Sequence, residues 1–210
     1  MPYKHVIGSG RALRHAVAAW RALAPDMELR EVDLEAPDGY AALQVLLDGF
    51  DPADSGGATA FVATDARFLN FHRLELMGSV RARGIPMPPL VERGAIVGEG
   101  VRILDNSWIG AGAVIQPGCR VGFNVVIGPG AIVCAGAGIG QSAWIDAGVT
   151  IGREARIGRQ ATIGMGVCIA HEVEVGTLCV IDRPGRIDAD VAPKTFIQTS
   201  HAQPIRIFGA

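Results

Sequence analysis

The chain has 210 residues, a formal net charge of -2 and 49% hydrophobic residues, which predicts a folded protein with room for two small domains. This charge balance gives no sign of a nucleic-acid partner. The first residues lack an apolar signal core and no run of eighteen apolar residues occurs, so we expect a cytoplasmic protein without a membrane span.

The first part of the chain, residues 1–89, alternates predicted strands with predicted helices. The predicted strands span residues 4–9, 29–34 and 58–63, and the predicted helices span residues 11–23, 41–50 and 66–83. Such alternation predicts a small, Rossmann-like α/β domain built on a parallel sheet.

A glycine turn, Gly8-Ser9-Gly10, ends the first predicted strand where the first helix begins. Backbone N–H groups at the positive end of a helix could hold a phosphate or pyrophosphate. Asp33 closes the second strand, where an acid could bind a ribose hydroxyl. Leu13 replaces the third glycine of the dinucleotide fingerprint, so a turn without a ligand remains the alternative.

From Val91 onward a branched aliphatic residue stands at every sixth position, up to Ile187. This period fits neither an amphipathic helix nor an alternating strand. It is the hexapeptide repeat of a parallel β-helix, in which three hexads close one triangular coil of eighteen residues. We therefore predict a β-helix over residues 90–192 and a tail, residues 193–210, that caps it. The protein is then mainly β, with the small α/β domain in front.

Stacked triangular coils form a three-sided column, which we call the prism. Residues eighteen positions apart should lie above one another on one side of this prism. Two outward columns are apolar and the third is charged. The tryptophan face carries Trp108, Val126, Trp144, Thr162 and Val180, the aliphatic face carries Ile96, Val114, Ile132, Thr150 and Cys168, and the arginine face carries Arg102, Arg120, Gly138, Arg156 and Glu174. Long apolar faces mark interaction surfaces, so we predict a homotrimer in which each apolar face meets a different sister subunit. The alternative is that the protein's own loops cover the tryptophans.

A histidine stands at a predicted corner of the prism, between the aliphatic and arginine faces. His171 is the third residue of its hexad, and Glu172 beside it would favour the imidazolium. At a subunit boundary this histidine is a candidate general base; the alternative is a solvated corner. Arg153, one coil below, could meet a phosphate or carboxylate. The neighbour's facing corner would offer Gln141, Ser142, Arg159, Gln160 and Thr177.

Together these segments resemble a known family. The segments are residues 6–10, residues 61–65 leading to Arg73, the Gly84-Ile85-Pro86 run and the hexads. They resemble the hexapeptide-repeat sugar O-acyltransferases, of the sialic acid O-acetyltransferase and UDP-4-amino-sugar N-acetyltransferase type. The resemblance implies a left-handed β-helix trimer that binds acetyl-CoA between subunits, a front domain that holds the nucleotide of a sugar, and His171 followed by Glu172 as the base. No metal is implied.

The chain departs from this family at one important position. Counted from the domain junction, the family's histidine would fall near Ala135, two coils before His171 in the same corner column.

Two functional hypotheses follow. The first hypothesis is an acyl-CoA-dependent transferase acting on an amine or hydroxyl of a nucleotide-linked sugar, with Arg153, Arg159, Gln160 and Thr177 near the cofactor. The second is a catalytically silent trimer that binds or scaffolds a partner.

Overall fold

The computed structural model describes residues 3–51 and 56–206. They form an N-terminal α/β domain followed by a parallel β-helix, and the two pack directly against each other. Within these residues no helix has the length and apolar character needed to cross a membrane.

The N-terminal domain is a three-stranded parallel sheet with helices on both sides. Its strands are β1 (Tyr3–Gly8), β2 (Glu28–Asp33) and β3 (Thr59–Ala63), with β1 in the centre, and its helices are α1 (Gly10–Leu23), α2 (Gly39–Gly49) and α3 (Phe71–Ala82). Neighbouring residues of a strand point to opposite faces, so Val6 packs with α1 whereas Ile7 packs with α2 and α3. The observed order agrees with the predicted alternation of strands and helices.

The third predicted helix is interrupted. A 3₁₀ turn spans Arg67–Asn70 and the α-helix begins only at Phe71, because Leu69 and Asn70 have φ angles of 52° and 61°. Asn70 is buried, and its Nδ2 donates a hydrogen bond to the carbonyl oxygen of Ser142 at 2.8 Å. This contact with the β-helix is a tertiary one, so helical periodicity alone could not predict the break.

The β-helix confirms the six-residue period. Its strands pair in parallel with those eighteen residues away, as Trp108 with Val126 and Val126 with Trp144. On the tryptophan face the strands are Leu90–Val91, Trp108–Ile109, Val126–Ile127, Trp144–Ile145, Thr162–Ile163 and Val180–Asp182, extended by Thr195–Gln198 and Ile205–Arg206. On the aliphatic face they are Ile96–Val97, Val114–Ile115, Ile132–Val133, Thr150–Ile151, Val167–Ile169 and Gly185–Ile187. On the arginine face they are Arg102–Ile103, Arg120–Val121, Gly138–Ile139, Arg156–Ile157 and Glu174–Val175.

The prediction for the tryptophan face is wrong over its first coils. Trp108 and Val126 are 5% and 6% exposed because the chain's own N-terminal domain covers them. Leu13 of α1 and Phe61 of β3 pack in the same cluster, and the rings of Phe61 and Trp108 meet edge to face at 5.9 Å. A covered face cannot also meet a sister subunit. Trp144 is half-buried and packs against the edge of the same cluster.

The aliphatic face remains uncovered by the described part of the chain. Ile96 is 63% exposed and Ile132 is 38% exposed. A row of branched aliphatic side chains in water costs hydrophobic free energy. This face therefore keeps the character of an interaction surface.

One corner of the β-helix is buried by α3 through polar contacts. Asn106, Asn124 and Ser142 stack eighteen residues apart and are fully buried. Asn106 Nδ2 donates to Asn124 Oδ1 at 2.8 Å, and Asn124 Nδ2 donates to Ser142 Oγ at 3.0 Å. Asn106 Oδ1 also accepts from the N–H of Val62 in β3. This polar column fixes the orientation of the N-terminal domain on the prism.

Candidate functional site

The glycine turn lies at the carboxyl edge of the N-terminal sheet, as predicted. A Cβ atom at Gly8 would lie 1.9 Å from the carbonyl oxygen of Ala63, so only glycine fits there. Gly10 has a φ of 54° and begins α1. Ser9 is the N-cap of α1, but its side chain makes no capping hydrogen bond. Both glycines thus have a structural role, and the Ser9 hydroxyl remains available for a ligand.

Two acidic residues stand beside this turn. Asp33 pairs with Gly8 at the end of β2, and its Oδ1 accepts a hydrogen bond from the N–H of Glu35 at 3.0 Å. The Glu35 carboxylate lies over the first residue of α1, with Oε1 3.3 Å from where a Cβ of Gly10 would be. A carboxylate is favourable at the positive end of a helix. Glu35 thus occupies the place where a phosphate group would be expected.

A first cavity opens beyond this turn, and we call it the strand-end cavity. It has a volume of about 550 Å³ and is lined by Ser9, Glu35, Tyr40, Phe71 and His72, among others. The Tyr40 hydroxyl lies 3.0 Å from His72 Nε2, which joins the starts of α2 and α3 across the cavity. Tyr40 and Phe71 are 57% and 45% exposed, so aromatic surface faces the solvent here.

A second cavity lies between α1 and the tryptophan face, and we call it the tryptophan cavity. Its volume is about 270 Å³, and Trp108, Val126 and Trp144 form its apolar wall. Arg11 and His15 reach it from α1 because residues four apart lie on one side of a helix. Asp146 lines it from the prism.

The tryptophan cavity contains a histidine and carboxylate pair. His15 Nε2 lies 3.1 Å from Glu92 Oε1. The Glu92 side chain is only 10% exposed, and it also accepts from Trp108 Nε1 at 2.6 Å and from the N–H of Ala111 at 3.1 Å. His15 packs on Trp108 with a ring separation of 4.9 Å. The carboxylate is thus held by donors from the prism, and the imidazole is oriented by the carboxylate and the indole.

A third space joins the two cavities. It lies at the glycine turn, has a volume of about 390 Å³, and is lined by Ser9, Gly10, Arg11 and Arg14. It shares Ser9 and Glu35 with the strand-end cavity and Arg11 with the tryptophan cavity, and Asp65 lines all three. A continuous groove therefore runs from Tyr40, past the start of α1, to the tryptophans of the prism.

The predicted corner histidine lies elsewhere. His171 and Glu172 are exposed, and neither lines the groove. His171 Nδ1 accepts a hydrogen bond from the backbone N–H of Arg153 at 2.8 Å. An amide N–H can only donate, so the neutral ring carries its proton on Nε2. In this state His171 presents a donor rather than a base.

The residues predicted for the facing corner are only partly accessible. Arg159 is exposed and Thr177 is half-buried, whereas Gln160 is 7% exposed. Gln160 Nε2 is buried and has no hydrogen-bond partner among the described residues. The prediction that Ser142 faces a neighbouring subunit is wrong, because the chain's own Asn70 covers it.

Ala135, at the position expected for the family's histidine, lies on the same corner as His171. Its N–H donates to Gln116 Oε1 at 2.9 Å. The Glu154 carboxylate lies over the neighbouring glycine, since a Cβ at Gly136 would come within 2.0 Å of Glu154 Oε1. At the position of Ala135, this corner therefore presents the Glu154 carboxylate instead of an imidazole.

Several residues of the groove were not predicted from the sequence. They come from four separate places along the chain and follow no motif: His15, Tyr40, Phe71 with His72, and Glu92. The one available signal was positional, since His15 lies near the start of the helix that follows the glycine turn. No group of three or more histidine, cysteine or acidic residues within the described ranges could hold a metal ion.

Comparison with known proteins supports the fold. The model of the family described as "Bacterial transferase hexapeptide (six repeats)" matches residues 100–135. A search of curated protein sequences found no match.

Solved structures match nearly the whole chain. PerB from Caulobacter crescentus, in complex with CoA and GDP-perosamine, is similar with a TM-score of 0.82 and 20% identity over 97% of both chains. The acetyltransferase domain of PglB from Neisseria gonorrhoeae has a TM-score of 0.64 and 22% identity over 97% of this chain and 99% of that one. WeeI from Acinetobacter baumannii has a TM-score of 0.51 and 16% identity over 98% and 100%. These matches confirm the predicted resemblance to hexapeptide-repeat sugar acyltransferases at the level of the fold.

Proposed function

We propose that the protein is a CoA-dependent acyltransferase that acts on an amine or hydroxyl of a nucleotide-linked sugar. The observation that carries this proposal is the continuous groove from the N-terminal sheet to the tryptophan face. We assign nucleotide binding to the N-terminal domain, which we propose is Rossmann-like. We assign acyl transfer to the prism, which we propose is a left-handed β-helix. PerB, which shares the fold over 97% of its length, binds CoA and GDP-perosamine in its crystal structure.

Each part of a nucleotide sugar has a matching part of the groove. The base would stack on the exposed rings of Tyr40 and Phe71, since aromatic side chains present apolar surface with a specific geometry. The diphosphate would take the start of α1 with Ser9, Gly10 and Arg11, and Asp33 would stand near the ribose. The sugar would then reach the tryptophan cavity.

The acyl donor would approach from a sister subunit in a homotrimer. The exposed aliphatic face supports this assembly, because Ile96 and Ile132 need a partner to leave water. The proposed cofactor residues are Arg153, Arg159, Gln160 and Thr177. We also propose that the protein acts in the cytoplasm.

The chemistry requires one proton acceptor. A thioester already supplies a good leaving group, so the protein contributes proximity and proton removal, the latter worth about 10²- to 10⁴-fold. Two imidazoles are candidates. His171, followed by Glu172, is the residue implied by the family motif, and His15 is the residue that lies in the groove.

The direct test combines purified protein, acetyl-CoA and nucleoside diphosphate-linked amino sugars. Release of the CoA thiol and a product heavier by one acetyl group, measured by mass spectrometry, are the expected results. Isothermal titration should show separate binding of acetyl-CoA and of a nucleoside diphosphate. Failure to bind acetyl-CoA at millimolar concentration would contradict the proposal.

One observation favours a second function. Ala135 stands where the family's histidine is expected, so a catalytically silent binding trimer is the alternative. That protein would still bind a nucleoside diphosphate but would release no thiol with any acyl donor. The same two measurements therefore separate an enzyme from a binding protein.

A further inference from the structure

The histidine and carboxylate pair of the tryptophan cavity has the arrangement of a general base and its orienting acid. Glu92 is nearly buried and is held by Trp108 Nε1 and the N–H of Ala111, so its position does not depend on His15. His15 Nε2 lies 3.1 Å from the same carboxylate. A ring that carries its proton on Nε2 turns its N–H toward this carboxylate, and its lone pair is then on Nδ1.

The other nitrogen of this ring is available for chemistry. No hydrogen bond to His15 Nδ1 occurs within residues 3–51 and 56–206, and the side chain is 54% exposed while lining the cavity. His171 differs, because its Nδ1 already accepts a hydrogen bond from the N–H of Arg153. Of the two imidazoles, only His15 combines a carboxylate partner with a place in the groove.

We propose that His15 is the general base for acyl transfer and that Glu92 is the residue that positions it. This inference rests on the proposed acyltransferase function. It also accounts for Ala135, since a base on α1 makes a histidine at that corner of the prism unnecessary.

The proposed step is balanced as follows. The amine or hydroxyl of the sugar attacks the carbonyl carbon of the thioester, and its proton passes to His15 Nδ1 as the new bond to carbon forms. The tetrahedral intermediate then breaks its carbon–sulfur bond and expels the CoA thiolate, which takes the proton from the imidazolium. Glu92 stabilises the imidazolium while it exists.

The cavity also suits the sugar that would carry the reacting group. Trp108, Val126 and Trp144 give an apolar wall against which the carbon face of a pyranose can pack. Arg11 and Asp65 stand at the end that joins the phosphate part of the groove, and Asp146 is a further acceptor on the prism side. The substrate class is thus a nucleoside diphosphate sugar whose amine or hydroxyl reaches His15.

The test compares three matched variants: His15→Asn, His171→Asn and His201→Asn. Asparagine keeps a polar side chain at each site and cannot act as a base near neutral pH. His15→Asn should lower kcat by about 10²- to 10⁴-fold, with nucleoside diphosphate affinity within about twofold of the wild type. His201 is exposed and lies outside the groove, so His201→Asn should retain wild-type turnover.

The outcomes separate the two levels of the proposal. An active wild type with unchanged turnover in His15→Asn, and lost turnover in His171→Asn, would overturn the role of His15 and leave the acyltransferase standing. Absence of acetyl transfer by the wild type would overturn the acyltransferase itself, and this inference with it. The melting temperature of each variant is measured as a control that the fold is retained.

Glu92→Gln supplies a readout that a purely structural role would not produce. It keeps the side-chain size but removes the negative charge that would stabilise the imidazolium formed during the step. Glu92→Gln should therefore lower kcat, while the KM for the nucleotide sugar and the melting temperature stay close to the wild-type values. The other charged groups that line the cavity with His15 are Arg11, Asp65 and Asp146, which the variant leaves unchanged. An unchanged kcat would contradict the positioning role.

Discussion

The guanidinium of Arg73 is completely buried, and its Nη1 donates a hydrogen bond to the carbonyl oxygen of Asn124 at 2.7 Å. This bond joins α3 to the prism. Nη2 donates to the carbonyl oxygen of Asn106 at 2.7 Å and Nε to that of Val62 at 3.1 Å, so one side chain connects β3, α3 and two coils. Burial lowers the pKa of Arg73 to about 9.

Replacing this arginine should therefore destabilise the protein. Arg73→Met leaves the buried carbonyl groups of Asn106 and Asn124 without a donor and removes one of two side-chain donors from the Val62 carbonyl. Each unsatisfied carbonyl costs about 1–3 kcal/mol, while removal of a buried charge offsets part of the loss. We expect the free energy of unfolding, measured by chemical denaturation, to fall by at least about 2 kcal/mol. Arg81→Met, on the exposed side of the same helix, should change it by less than about 0.5 kcal/mol. Equal effects would contradict the role of Arg73.

Lys4 predicts a pH dependence of stability. Its ammonium is buried, donates to Thr59 Oγ1 at 2.6 Å and lies 4.0 Å from the centre of the Trp20 ring. Burial lowers the pKa of Lys4 from 10.5 to about 8. Between these two values the unfolded chain binds more protons than the folded one, so the contribution of Lys4 to stability rises with pH in this window.

The measurement compares melting temperatures of the wild type and Lys4→Met. The penalty of the buried charge is fully present below pH 8 and is lost as the pH rises toward 10.5. The wild type should therefore gain stability relative to Lys4→Met between pH 7.5 and 10. Lys194, the exposed lysine of the tail, is the control, and the gap between Lys194→Met and the wild type should stay constant. A constant gap for Lys4→Met would contradict the prediction.

Glu35 should weaken the binding of a diphosphate. Its carboxylate lies over the start of α1, where a phosphate would be placed, and like charges about 4 Å apart repel by about 1 kcal/mol in water. Glu35→Gln should therefore tighten the Kd of a nucleoside diphosphate by about fivefold, measured by isothermal titration at low salt. Glu31→Gln is the control, because Glu31 pairs with Arg21 outside the groove. Weaker binding in Glu35→Gln would indicate that Glu35 contacts the ligand favourably.

The aliphatic face should be the contact between subunits of the proposed trimer. Ile132→Asp places a charge in the middle of this face, and burial of an unpaired carboxylate is strongly unfavourable. Sedimentation velocity should show a trimer for the wild type and smaller species for the variant. Val45→Asp, at a 74% exposed position on α2, should sediment as the wild type does. A trimer that survives Ile132→Asp would exclude this face from the interface.

The sequence by itself determined the prism and its columns. Each hexad repeats the same local arrangement, and the hydrogen bonds between coils force residues eighteen positions apart into register. The exposed aliphatic face and the corner position of His171 could therefore be predicted from spacing alone. The alternating pattern of residues 1–89 likewise sufficed to place Gly8, Ser9, Gly10 and Asp33 at one edge of a parallel sheet.

Only the tertiary structure decided how the two units meet. The N-terminal domain covers the first coils of the tryptophan face through Leu13 and Phe61, and this packing brings His15 to Glu92. No repeating sequence pattern predicts either contact, because each depends on side chains from distant parts of the chain. The sequence therefore suggested a base on the prism, whereas the groove and its histidine arise from the docking of one unit on the other.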